Sequence, residues 1–109
     1  MARRPNPRNA NGHRARQLRA RVLAEGGPCG LCGRPVDTSL PAGHPASPEV
    51  DHDIPVSRGG ALYDRANAVI IHRVCNNWKS DRTLAEARAE LEGRARRPAP
   101  AVIQHSGTW

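Results

Sequence analysis

Two pairs of soft ligand residues, far apart in the chain but identically spaced within themselves, constrain this sequence more than any other feature. Cys29-Gly-Leu-Cys32 is a C-x2-C pair, and His72-Arg-Val-Cys75 repeats the x2 spacing after a gap of 39 residues. Two intervening residues let both side chains of a pair turn toward one ion, and the glycines around Cys29 and Cys32 permit the tight turn. Three thiolates and one imidazole are an accepted tetrahedral set for structural Zn²⁺. The expectation is a closed zinc site at Cys29, Cys32, His72 and Cys75. It would tie the N-terminal helix to the end of a hairpin and put its affinity into folding. A thioredoxin-like redox pair is the rival for Cys29 and Cys32, but no βαβ pattern surrounds them.

Such a metal answers a shortage in the composition. The 109 residues include no Phe, two Trp and one Tyr, against ten Gly and ten Pro, which leaves little from which to build a core. Chains this small often need a metal or disulfides to fold. Three cysteines is an odd number, which argues against a secreted disulfide scaffold and for metal binding in a reducing, cytoplasmic compartment. Seventeen Lys and Arg against ten Asp and Glu give a formal charge of +7, which points to a polyanionic partner, most simply nucleic acid. No apolar run reaches the ~18 residues of a membrane span, and the basic N-terminus lacks the apolar stretch of a secretory signal.

Periodicity divides the chain into one domain, expected over residues 13–95, between a disordered basic tail at 1–12 and a flexible tail at 96–109. Leu18, Val22 and Leu23 form an apolar stripe that predicts a helix from His13 to Glu25, ended by Gly26-Gly27-Pro28. Arg14, Arg16, Arg19 and Arg21 cover the rest of that helix. Val36 to Pro48 reads as a loop rich in Pro and Ser, and His44 in it as an exposed loop histidine. Glu49–His52 and the β-branched run Ala68-Val-Ile-Ile-His72 read as two strands of an antiparallel hairpin with a long connection. A helix is predicted to begin at Asn76 or Asn77 and to carry Trp78 and Lys79. Another follows from Thr83, where Glu86 stands three residues on as in a capping box, with Leu84, Ala87, Leu91 and Ala95 at helical spacing.

The stretch from Val50 to Lys79 carries a second, harder set of groups. Asp51-His52-Asp-Ile-Pro-Val-Ser-Arg58-Gly-Gly is followed by Asn67, fifteen residues after the histidine, and then by Cys75-Asn76-Asn-Trp-Lys79. Carboxylate and amide oxygens suit Mg²⁺ or Mn²⁺, while thiolates suit Zn²⁺, so one chain can keep two ions apart by chemistry. Arg58, beside Gly59-Gly60, and Lys79, on the helix, are candidate phosphate contacts, as are Arg14 and Arg21 on the basic helix.

This ordered pattern resembles the HNH endonucleases, with His52, Asn67 and Asn76 at the signature positions, and the flanking zinc pairs resemble the zinc-stabilised branch of that family. The resemblance spans about Arg14 to Arg82. It departs from the usual pattern in His72, where a Cys is commoner, in Asn76, where His also occurs, and in Asp53, where an aliphatic residue is usual. The resemblance implies an α+β fold: a small ββα-metal domain with a zinc knuckle and flanking helices, its catalytic hairpin and helix over 49–82. It implies cleavage or nicking of DNA phosphodiesters with one catalytic Mg²⁺ or Mn²⁺. In that scheme His52 is the general base on the attacking water, a task suited to a neutral imidazole. Asp51 and Asn76 ligate the metal, and Asn67 bonds backbone across the loop to support His52. By analogy alone it also suggests a phage setting near packaging proteins. The alternatives are a non-catalytic zinc-stabilised nucleic-acid-binding module and a packaging-accessory protein.

Overall fold

The apolar run at the centre of the sequence becomes the centre of the molecule. In a computed structural model that describes residues 7–96, Ala68–His72 forms a strand, β2, that pairs antiparallel with β1, Pro48–His52. The register sets Pro48 opposite His72, Val50 opposite Ile70 and His52 opposite Ala68. Side chains alternate across a strand, so β2 supplies two separate cores. Ala68 and Ile70 pack with Val22 and with the partly buried Leu18, Leu23 and Val50. Ile71 packs on the other side with Cys29, Leu31, Leu84 and Ala87.

The first of these cores holds α1, Pro7–Glu25, against the sheet. The expected stripe of Leu18, Val22 and Leu23 is the packed one, and Val22 is fully buried. The helix starts earlier than its apolar stripe. Residues 7–12, expected as part of a disordered tail, are helical. Once Leu18 and Val22 are docked, each further residue adds a backbone hydrogen bond without a new nucleation cost, and Pro is tolerated at the first helical position. Residues 1–6 and 97–109, which carry the rest of the two expected tails, lie outside the described residues.

The second core holds the cysteine knuckle and α3, Leu84–Arg96. The Gly30 N–H donates to the Ile70 carbonyl at 2.8 Å, which stitches the knuckle to β2. The capping box forms as expected: the Glu86 N–H donates to Thr83 Oγ1 and the Thr83 N–H to Glu86 Oε1. Only the first turns of α3 are buried. Leu91, placed by spacing on the same stripe, is 38% exposed.

Beside the second core lies α2, Arg73–Lys79, which begins directly from the last residue of β2. A start at Asn76 or Asn77 is therefore corrected by three to four residues. No side chain caps this helix; its first N–H groups are used by the loop before β1, with the Arg73 N–H on the Ser47 carbonyl and the Val74 N–H on the Pro45 carbonyl. The result is a mixed helix and two-strand architecture, hairpin followed by helix, with a soft-ligand knuckle beside it: the ββα-metal arrangement of the expected α+β class.

Candidate metal centre and hairpin site

The knuckle is a tight turn. The Cys29 N–H donates to the Arg34 carbonyl, the Gly33 N–H donates to the Cys29 carbonyl, and Gly33 sits at φ 75°, a backbone state that favours glycine. The end of β2 and the first turn of α2 bring His72 and Cys75 to the same place. The donor atoms of Cys29, Cys32, His72 and Cys75 all lie within 4.8 Å of one another. His72 Nδ1 is 3.4 Å from the Cys32 sulfur and 3.8 Å from the Cys75 sulfur. Its Nε2–H donates to the Pro35 carbonyl at 2.9 Å, which turns the Nδ1 lone pair toward the thiols and supplies the outer hydrogen bond usual for a metal-bound histidine.

The electrostatics of this cluster fit a cation. Burial pushes the Cys29 thiol up, but backbone N–H groups from Cys32, His72 and Leu31 outweigh it and bring the thiol down to about 7. Burial and the neighbouring Cys29 charge push Cys75 up to about 12. Three thiolates repel one another in this space, and a divalent ion at their centre removes the repulsion. The donor set is soft and four in number, so it can hold a metal such as zinc.

The harder groups gather around β1 and α2, and strand alternation divides them. Glu49 and Asp51 face α2. The Asn76 Nδ2–H donates to Glu49 Oε1 at 2.8 Å, and the Lys79 ammonium donates to Asp51 Oδ2 at 2.9 Å. Asn76 and Lys79 are one helical turn apart and so share a face of α2. Lys79 is only 1% exposed. The expectation that it contacts phosphate at the surface is corrected: starting α2 at Arg73 turns this residue inward, where Asp51 neutralises it.

His52 lies on the opposite side of β1. Its ring borders a depression formed by Ala15, Leu18, Arg19, Val50, Leu62 and Tyr63. The His52 Nε2–H donates to the Leu62 carbonyl at 2.9 Å. Asn67 stitches the loop that carries Leu62. Its Oδ1 accepts from the Ile54 N–H, and its Nδ2 donates to the carbonyls of Ile54 and Ala61, all at 2.9–3.0 Å. The backbone adds a fourth link, from the Asp53 N–H to the Asn67 carbonyl. Asp53 is half-buried.

The basic candidates are distributed unevenly. Arg14 lies over the Tyr63 ring, 4.3 Å from its centroid, and lines with Arg21, Gln17 and Arg65 a hollow next to the His52 depression. Arg21 pairs with Glu25 at 3.3 Å and remains largely exposed. Arg58 is tied to Glu86, whose carboxyl is held down to about 2 by this guanidinium and by the Thr83 N–H. His44 is an exposed loop residue, as expected, with Nδ1 accepting from the Ala46 N–H. Sequence reasoning passed over Glu49, although a carboxylate two residues before Asp51 in a strand necessarily shares its face.

Comparison with known proteins bears on the knuckle, the hairpin and α2. The family model described as HNH endonuclease matches residues 29–82, a span that includes both soft-ligand pairs, the hairpin, Asn67, Asn76 and Lys79. No match was found among curated proteins or among solved structures.

Proposed function

The chain belongs to the HNH endonuclease family, and from that premise we propose that it hydrolyses DNA phosphodiester bonds, with His52 as general base. The observation that carries this reading is the bond from His52 Nε2–H to the Leu62 carbonyl. It fixes the tautomer. With the proton held on Nε2, the lone pair is on Nδ1, which can take a proton from water as that water attacks phosphorus. Asn67 supports the same geometry from behind. Its bond to the Ala61 carbonyl anchors the residue next to Leu62, so Asn67 acts on His52 through the backbone that orients the ring.

Asp51 and Asn76 would hold a divalent ion, Mg²⁺ or Mn²⁺. Their oxygens are hard donors on facing elements, and each side chain has one atom engaged by a neighbour and one oxygen left over. Bound there, such an ion would supply charge to the phosphate and to the departing 3′ oxygen. The four soft ligands would hold a structural Zn²⁺. The scissile phosphate would sit across the end of β1, reached by His52 from one face and by Asp51 from the other, with the DNA running on along α1, where Arg14, Arg19 and Arg21 flank the His52 depression. Contacts of that kind give salt-dependent affinity with little sequence preference.

The test is relaxation of supercoiled plasmid by wild type and His52→Ala, each loaded with zinc, in Mg²⁺, Mn²⁺ or no divalent ion. Nicking is expected from wild type with a divalent ion and is expected to fall by ~10²–10⁴-fold in the variant. Equal activity in both proteins would remove His52 from the mechanism. One observation favours a second reading. Lys79 already neutralises Asp51 without a metal, as a non-catalytic nucleic-acid-binding module of this fold would require. That module would bind DNA, survive His52→Ala and nick in no metal.

A further inference from the structure

Strand β1 and helix α2 meet through two parallel rungs. Glu49 and Asp51 alternate onto one face of the strand, and Asn76 and Lys79 face them from the helix at 2.8 and 2.9 Å. The lower rung, Asp51 to Lys79, is an ion pair. The upper rung joins a carboxylate to a neutral amide. A carboxylate has no hydrogen to give, so the amide must present its NH2 end to Glu49. The carbonyl end, Oδ1, is then directed away from Glu49. Glu49 is itself steadied by the Arg73 guanidinium, 4.0 Å from its other oxygen.

From this geometry we propose that Glu49 is a positioning residue that decides which end of the Asn76 amide is offered to the catalytic metal. The inference rests on the reading of Asn76 as a ligand. An amide can ligate a hard cation only through oxygen, and rotation by half a turn about its last side-chain bond replaces that oxygen with an NH2 group that cannot ligate. Glu49 holds the productive orientation before any ion arrives. Its hold on Asn76 resembles that of the outer carboxylates that orient metal-binding histidines, whose removal typically lowers metal affinity ~10–100-fold.

Direct binding of Mn²⁺ to the full, zinc-loaded chain tests this, read from the loss of the free-ion electron paramagnetic resonance signal. Wild type is compared with Glu49→Ala, Glu49→Gln, Asn76→Ala and the double variant Glu49→Ala/Asn76→Ala, with zinc content and circular dichroism confirming the fold of each. Glu49→Ala should weaken Mn²⁺ binding by ~10–100-fold. Glu49→Gln should also weaken binding, because a glutamine amide can donate to the Asn76 carbonyl as readily as it accepts from the NH2 and so no longer selects one end. Glu49→Ala should add nothing once Asn76 is already alanine. Three results would overturn the proposal: no loss in Glu49→Ala, full wild-type affinity in Glu49→Gln, or an undiminished loss in the Asn76→Ala background. The last would make Glu49 a direct ligand or a general source of charge. If Asn76→Ala leaves Mn²⁺ affinity unchanged, or wild type binds no Mn²⁺, the ligand reading itself falls and the inference falls with it. If Asn76→Ala weakens binding and the two effects simply add, only the role of Glu49 is lost.

Discussion

At the scale of single residues, Lys79 departs furthest from what its type suggests. A lysine on a helix of a basic protein reads as a surface charge, yet this one is buried and its ammonium lies on Asp51. Removing one partner of such a pair leaves the other uncompensated, at a cost of about 3–5 kcal/mol when both are buried. Asp51 retains 21% exposure, so water relieves part of that penalty. Lys79→Met is expected to lower stability by roughly 3 kcal/mol in urea unfolding, the lower end of that range. If Asp51 holds a divalent ion as proposed, saturating Mn²⁺ should narrow the deficit, because a cation bound only to the folded state stabilises it. An unchanged unfolding midpoint would mean that the pair contributes nothing. Asp51, His52, Asn67 and Asn76 were all legible as chemistry-bearing residues from their types and order. Their hydrogen-bond partners were not, because Glu49 to Asn76 and Asp51 to Lys79 join residues 27 and 28 positions apart.

At the scale of elements, the loop between the strands is held by close backbone approach. A Cβ built on Gly60 would fall 1.8 Å from the Ile54 carbonyl oxygen and 2.8 Å from Asn67 Nδ2. Backbone cannot yield as a side-chain tip can, so Gly60→Ala must push apart the contacts that Asn67 makes. The expected outcome is loss of nicking with zinc still bound, since the contacts of Gly60 and Asn67 involve none of the four soft ligands; retained activity would show that the Asn67 links are dispensable. Thr83→Ala, by contrast, removes the cap of α3 and should cost about 1 kcal/mol of stability while leaving nicking intact. The capping box was readable because Thr83 and Glu86 are three residues apart and satisfy each other locally. The start of α2 was not readable, because His72 makes no side-chain cap bond. The junction is set instead by the packing of β2 and by the loop carbonyls of Pro45 and Ser47.

At the scale of the whole molecule, stability rests on two small cores that share β2, with the ligand cluster in the second of them. Val22, Cys29, Leu31, Ala68, Ile70, Ile71, Leu84 and Ala87 are the buried hydrophobic residues described, and they fall into two groups on opposite sides of β2. The ligands join the knuckle to the β2–α2 junction, so a bound metal adds a link that apolar contacts alone provide weakly. Chelation should therefore lower the thermal midpoint, blunt the cooperativity of unfolding and expose all three thiols to a sulfhydryl reagent, whereas addition of Zn²⁺ should reverse each change. A chelator that leaves the midpoint and thiol reactivity unchanged would remove the metal from the account of folding. Read alone, the chain determined what its local patterns encode: the matched ligand pairs, the two strands, the apolar stripe of α1 and the capping box of α3. Each depends on residues a few positions apart, where spacing equals geometry. Only the tertiary structure decided that residues 7–12 are helical, that Lys79 turns inward, and that Glu49 faces Asn76. Those outcomes depend on how a strand and helices distant in sequence meet in space, and no local period carries that information.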